Sequence, residues 1–539
     1  MKKPFVKPVC IVFLLCAVLI LVAEETPSTA GSDVSPAVSS AVSSVSSARS
    51  SASVSAERCI TGSRYYLDPV SGDDKGDGST AKPWKTLARA RSGARSGDGV
   101  YLRSGNYGFF LERESTRSGY VIFLNEKGAV PVFSGILLEY KAKNTPSFLV
   151  FSGIRIIPEP VAQKPGTDPQ DPNATLSTYA KTLDPVTIRN ASKVMLVDCE
   201  LSGVSKYLTE VGVLIEHSTN IRIETSDLHD IRRGFSYDDS RFLEFMGNHI
   251  HHIAASAFRG TDGKSTDILI EGNHAHDSNY EYSEDYCPRA LNANNHGSAV
   301  AILGDRITIR NNIFHDGFNS AGIMTYDKDN SSSDVDYTDI LIENNIVYDL
   351  RNNYVLRLYL IKSVVVRNNL FIGHRKSSGA QYYDTSILLH SLAAGATGSA
   401  LTFSNNVVIG ITNFGQWWPE VKQSNNMFYS CRAGTGPFMT ESQVGGKSLV
   451  ASVSKTSDFF ERGFFENPLR FDWDTSVKSN SRGHGVTLNF ALAANSPAIG
   501  FGDPSVQPED GIGPINDKGF IERSPVKRTL LRHNAGPWQ

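Results

Sequence analysis

The chain has 539 residues, a formal net charge of −3 and a charged fraction of 20%, which excludes the basic footprint of a nucleic-acid binder and calls for neither an acidic nor a basic partner. Its length admits several ordinary domains or one long repeat or all-β unit. Only the repeat pattern decides between them.

Lys2, Lys3 and Lys7 precede an apolar run from Val9 to Ala23, the basic and hydrophobic parts of a secretory signal. Those fifteen apolar residues fall short of the ~20 that cross a bilayer as a helix. Residues 1–25 are therefore expected to direct export to the medium, periplasm or cell surface, with no other membrane contact. Residues 26–57 are mostly Ser, Ala and Val, with scarcely a large side chain to bury, and read as a flexible linker. Four of the six cysteines, Cys59, Cys199, Cys287 and Cys431, follow the signal. Export would let them oxidise, and their pairing is open.

Residues 58–145 read as a cap and first coils. "YYLDPVSGDDKGDGSTAKPWKTLARARSGARSGDGVYLRSGNY" predicts a strand, a Gly/Asp-rich turn, a short helix opened by Pro83, and a second strand. Residues 146–430 then repeat one frame. "NIRIETSDLHDI", "FLEFMGNHIHHI", "DILIEGNHAHDS", "RITIRNNIFHDG", "DILIENNIVYDL", "SVVVRNNLFIGH" and "ALTFSNNVVIGI" align on a polar pair at 225–226, 247–248, 272–273, 311–312, 344–345, 368–369 and 405–406, with "SNNMF" adding 425–426. Before each pair apolar and polar residues alternate, as Ile342 does against Glu343, and a period of two means half-buried strand. Pair spacing varies from 20 to 39 residues, so the strands are joined by turns of unequal length. A shared frame in which only neighbours need touch is a solenoid, with coils ~4.8 Å apart.

An Asn in a tight turn tolerates left-handed backbone angles and can bond the next coil, so the stacked amides form a ladder. On these pairs the chain resembles the right-handed parallel β-helix family, the pectate-lyase-like superfamily, over roughly residues 64 to 500. The resemblance implies an all-β solenoid with an N-terminal cap containing a short helix. The cap looks like that of secreted β-helix polysaccharide enzymes. "LNFALAANSPAIGFGDP" resembles their closing tail, within residues 431–539 of C-terminal coils and tail. The Ser-rich linker also resembles, in composition, those of secreted carbohydrate-active enzymes.

Three residues past each second ladder position stand His229, His251, His276, His315 and Tyr348, followed by Asp230, His252, Asp277, Asp316 and Asp349. Histidine and carboxylate at this density could bind a transition metal. Recurrence over five coils favours scaffold instead: stacked rings, with the carboxylates bonding turn backbone.

The resemblance implies a substrate groove on the outer face of the strand preceding each ladder strand. Alternation there places Glu216, Asp238, Asp262, Tyr326, Arg357, Tyr359 and His390 outward. Carboxylates in early coils, Glu216, Asp238, Asp239 and Asp262, are the candidate metal ligands, Ca²⁺ being the cation that the resemblance implies. Arg357, Tyr326, Tyr359 and His390 are the candidate catalytic groups. Two insertions offer candidate substrate-binding residues: "HDSNYEYSEDYCPRALNANNHGSA" carries Arg289 and His296, and "RKSSGAQYYDTS" carries Lys376 and Tyr382.

These residue types suit β-elimination on a uronic-acid polysaccharide. A cation stabilises the charge that develops beside the sugar carboxylate, and a base and an acid move the protons. Two alternatives remain: a glycoside hydrolase using paired carboxylates such as Asp238, Asp239 and Asp262, and a non-catalytic glycan-binding solenoid. The expected partner is an anionic polysaccharide held by a monomer. The aspartate cluster with a later catalytic lysine of calcium-dependent pectate lyases is absent, and "GFSYDDS" resembles the acidic segment of alginate epimerases without its Pro-His.

Overall fold

The computed structural model describes residues 56–158, 184–203, 209–278 except 262, 297–325 except 316 and 319, 337–350 except 349, 354–373 except 360, 386–390, 400–411, 413–414, 421–429, 431 and 449–451. The signal, the linker, both insertions and the closing tail lie outside them. Among the described residues no helix is long and apolar enough to cross a membrane.

The chain winds into a right-handed parallel β-helix. A 13-stranded sheet runs from Arg64–Leu67 through Thr219–Glu224, Thr266–Glu271 and Ile340–Glu343 to Val421–Ser424, each strand pairing in parallel with its equivalent one coil on. The other strands merge into a 23-stranded sheet because Asp227–Asp238 crosses a corner without a break. Its first half pairs with Glu200–Ser202 and His249–Ile253, and its second half with Thr209–Glu216 and Phe258–Gly260. Each coil thus has three faces: the ladder strand, the strand after the polar pair, and the strand that leads to the next coil.

Period-two alternation aims one apolar row per strand at the axis, where like residues stack. Phe235 and Phe258 are parallel with centroids 5.2 Å apart, and Phe245 meets Phe235 at 4.7 Å. Alternation fails at the ends of several ladder strands. Glu271, Arg310 and Glu343 are all buried, because register neighbours carry opposite charges: Arg310 donates to Glu271 at 3.1 Å and Arg367 to Glu343 at 2.9 Å. A charge in such a place is tolerated only when paired.

The two pair positions divide their work. The first residue takes the left-handed backbone, with φ of 59° at Asn311, 54° at Asn344 and 59° at Asn368. Gly247 and Gly272 serve in earlier coils with φ of 59° and 66°. The second residue is the ladder. Asn312 Nδ2 donates to Asn345 Oδ1 at 2.9 Å, Asn345 Nδ2 to Asn369 Oδ1 at 3.0 Å, and each also donates to a core-strand carbonyl, Ile270 and Ile309 respectively, at 2.9 Å. Runs of the same bond join Asn248 to Asn273 and Asn406 to Asn426.

In the cap the helix spans Leu87–Gly93 and is opened by Thr86, whose side chain accepts from the Arg89 backbone N–H, the usual N-cap bond. Pro83, predicted to open it, lies three residues too early. Asp74 holds the Lys85 and Thr86 backbone N–H groups at 2.9 Å, which moves the start to Thr86. Cys199 is a buried free thiol, and Cys287 lies outside the described residues.

Candidate functional site

The face leading to the next coil carries two outward rows. The first joins Thr187, Leu214, Ser236 and Arg259 by register, and later Ala301, Met324 and Arg357. The second joins Glu139, Arg189, Glu216 and Asp238, two residues further along each strand.

In the second row charge alternates from Glu139 through Arg189 to Glu216. Arg189 is hydrogen-bonded to Glu216 through Nε and stands 3.6 Å from Glu139, which Arg113 also meets at 3.3 Å. The bond to Glu216 raises the Arg189 guanidinium further above its ordinary value. Asp238 ends the row half-buried, and its buried Oδ1 has no hydrogen-bond partner among the described residues. Asp239 turns away on a left-handed backbone of φ 39°. It accepts from Lys143 at 2.6 Å and meets His217 Nδ1 at 3.0 Å. The Lys143 bond holds its carboxyl below the usual range.

Glu216 and Asp238 are therefore adjacent, whereas Asp239 belongs to the next turn. Cations of the chain itself pair with Glu216 and Asp239, and Asp262 lies outside the described residues. Asp238 is thus the one candidate carboxylate among the described residues without a cation beside it, and by itself it supplies fewer than the 6–8 oxygens calcium takes. Arg357 is half-buried, with its guanidinium 4.9 Å from the Tyr354 ring centroid, a cation–π distance. It lies four coils beyond Asp238, a separation of about 19 Å at the ordinary strand spacing. Between them Ala301, Ala321 and Met324 form a small buried apolar cluster against Tyr354.

Tyr359 and His390 occupy facing register positions, two residues past the facing pair Arg357 and Leu388. Of these two residues the backbone alone is described. Asp262, Tyr326, Arg289, His296, Lys376 and Tyr382 lie outside the described residues. Arg259, in register with Ser236 and half-buried, was missed in favour of Asp262. Counting outward from Phe258, which is buried in the core, would have found it.

On the face after the polar pair, His229, His251, His276, His315 and Tyr348 stack with centroid separations of 5.2, 5.7, 5.1 and 4.6 Å and interplanar angles of 14° or less. The following column takes left-handed angles at Asp230, His252 and Asp277. Its carboxylates were expected to bond turn backbone. Instead Asp230 bonds His229 Nδ1 at 2.7 Å and Asp277 bonds His276 Nδ1 at 2.9 Å. Burial alone would lower the His229 imidazole, but Asp230 and Glu200 overcome it and hold it up at about 9. Burial, with neighbouring imidazoles, instead pushes His274 and His276 far below their ordinary value and lowers His251.

A family model described as the right handed beta helix region matches residues 211–443. Among solved structures the chain is similar to the pectate lyase Pel9A (14% identity over 86% of this chain and 97% of that one, TM-score 0.43). It is also similar to the GH136 lacto-N-biosidase from Eubacterium ramulus (14%, 74% and 69%, 0.41) and to PfbA, a surface adhesin of Streptococcus pneumoniae (13%, 64% and 85%, 0.33). At these identities the likeness is one of fold. No curated protein sequence matches the chain.

Proposed function

We propose that the chain is exported and cleaves a uronic-acid-containing polysaccharide by β-elimination, as a monomer, on the face that carries Asp238, Arg259 and Arg357. The observation that supports this reading best is the register placing Tyr359 opposite His390, two residues past Arg357. That register puts the backbone positions of one cation and two proton-transfer residues within a single step of the coil stack.

β-Elimination removes a proton from the carbon beside the sugar carboxylate, breaks the bond to the glycosidic oxygen one carbon on, and protonates that oxygen. Arg357 would neutralise the carboxylate as charge spreads into it. His390 would accept the carbon's proton, and Tyr359 or Tyr326 would supply one to the leaving oxygen. Arg259 and Arg289, His296, Lys376 and Tyr382 of the insertions would hold the polymer on either side. Glu216 and Asp239 are already paired with Arg189 and with Lys143 and His217, so in this reading Arg357 supplies the cation.

The test is incubation with pectate, alginate and glycosaminoglycans, with calcium or chelator, following ultraviolet absorbance and reducing ends together. A rise in both, reduced ~10²-fold or more in Arg357→Gln and His390→Gln, supports the lyase. One observation favours a hydrolase as second reading. Glu216 and Asp238 are register partners, so their backbones stand ~4.8 Å apart, close to the ~5–5.5 Å between the carboxyl groups of retaining glycosidases. That reading requires new ends without absorbance, abolished by Asp238→Asn. Neither signal on any polymer would count against both and leave an epimerase, a polymer outside those tested or a glycan-binding solenoid.

A further inference from the structure

Beside the stacked histidine column runs a second row, at the residue directly after each ladder position. In register order it reads Glu200, Asp227, His249, His274, Ile313, Ile346 and Leu370. The stacked column recurs through five coils, as a structural position should. This row turns to histidine in two adjacent coils only and then becomes apolar. That break confines the row's imidazoles to His249 and His274, whose Nε2 atoms face the next ring of the stacked column, His276 and His315, at 2.8 and 2.7 Å.

The ring nitrogens converge where the break occurs. His249 Nδ1 stands 3.2 Å from Asp227 Oδ1 and His276 Nδ1 2.9 Å from Asp277 Oδ2. Each carboxylate favours a proton on the Nδ1 it faces, which leaves the lone pair on Nε2. The two Nε2 atoms nevertheless face each other at 2.8 Å. Two lone pairs at that distance repel unless a proton or a cation lies between them. His274 packs against both, with ring centroids 5.4 Å from His249 and 4.5 Å from His276. One nitrogen from each of the three falls within 4.8 Å of the others, and two ligands of one tetrahedral ion stand ~3.3 Å apart for bonds of 2.0–2.1 Å.

We propose that His249, His274 and His276 bind one divalent transition-metal ion of the zinc, cobalt or copper class. Asp227 and Asp277 are the carboxylates that orient His249 and His276. Three imidazoles select such an ion over calcium, which takes oxygen ligands. Burial keeps His274 and His276 neutral, the state a ligand needs. The His249 side chain is 40% exposed, so solvent can occupy the remaining position. This face is distinct from the one assigned to substrate, and the proposal stands or falls separately from the lyase reading.

The test uses the full exported chain, untagged, stripped with chelator, dialysed and titrated with Co²⁺ while visible absorbance is recorded. The expected result is d–d absorption saturating at one equivalent, abolished by Zn²⁺ and unaffected by Ca²⁺. His249→Gln should weaken binding by more than the ~10–100-fold typical of losing an orienting partner, and Asp227→Asn by about that factor. His217→Gln, on another face, should leave it unchanged. Far-ultraviolet circular dichroism checks the fold of each variant, and His274→Gln replaces His249→Gln if the latter does not fold. Absence of the absorption, displacement by Ca²⁺, or equal binding by His249→Gln and wild type would overturn the proposal.

Discussion

Asn344 and Asn345 are neighbours of identical type on which the structure places opposite demands, so replacing each in turn tests the division of labour in the ladder. Asn345→Ala removes four hydrogen bonds: those its Nδ2 donates to Ile309 O and Asn369 Oδ1, and those its Oδ1 accepts from the Asn312 backbone N–H and Asn312 Nδ2. Two of the four partners keep a second bond. Asn312 Nδ2 still reaches Ile270 O, and Asn369 Oδ1 still accepts from the Asn345 backbone N–H. The Asn312 backbone N–H loses its partner while buried. That orphaned donor costs about 1–3 kcal/mol, and each weakened bond about 0.5–1.5 kcal/mol. The expected loss is therefore about 3–5 kcal/mol, below the plain sum because bonds in one network are not additive.

Asn344 sits at φ 54°, where glycine is at least as comfortable, so Asn344→Gly should change stability by less than about 1 kcal/mol. Equilibrium denaturant unfolding, followed by circular dichroism and tryptophan fluorescence, measures both. A solenoid can unfold in segments, so the two probes must coincide for the comparison to hold. A loss under about 1 kcal/mol for Asn345→Ala, or an equal loss for Asn344→Gly, would refute the ladder argument.

In the cap, Arg117 donates to Glu112 at 2.6 Å with side-chain exposures of 10% and 1%. Arg117→Ala leaves a buried carboxylate without its cation and should cost about 3–5 kcal/mol, read as a fall in the denaturant midpoint. Between pH 7 and 5 the metal-free chain should lose stability on acidification. His251, His274 and His276 are depressed in the fold, so the unfolded chain takes up protons there that the folded one does not. His229 runs the other way: raised to about 9, its contribution is complete below the unfolded value near 6.5 and disappears as pH rises through 9. A melting temperature that rises from pH 7 to 5 would contradict the assignment of three neutral rings. Burial pushes the Cys199 thiol up to about 12, so an aromatic disulfide reagent should leave it unmodified in the native chain and label it on unfolding. Peptide mapping after each treatment decides.

The fold was legible because a parallel β-helix writes its architecture into sequence as recurrence. The strand period, the polar pair and the unequal turns are all local, and Asn312 and Asn345 could be aligned across 33 residues without knowing what lay between. Outward position at Glu216 and Asp238 follows from the same local rule. What each outward residue meets does not, because its partner sits one coil away at a distance along the chain that only winding determines. Arg189 reaches Glu216 across 27 residues and Lys143 reaches Asp239 across 96, so two of the candidate carboxylates meet cations of the chain itself, while Asp238 Oδ1 has no hydrogen-bond partner among the described residues. The same winding set His249 against His276 and Asp227 against both His249 and His251. Sequence alone thus determined which residues share a row, since side-chain direction is a property of the single strand. The stacking of coils decided which charges cancel and which nitrogens converge, since those depend on register between strands.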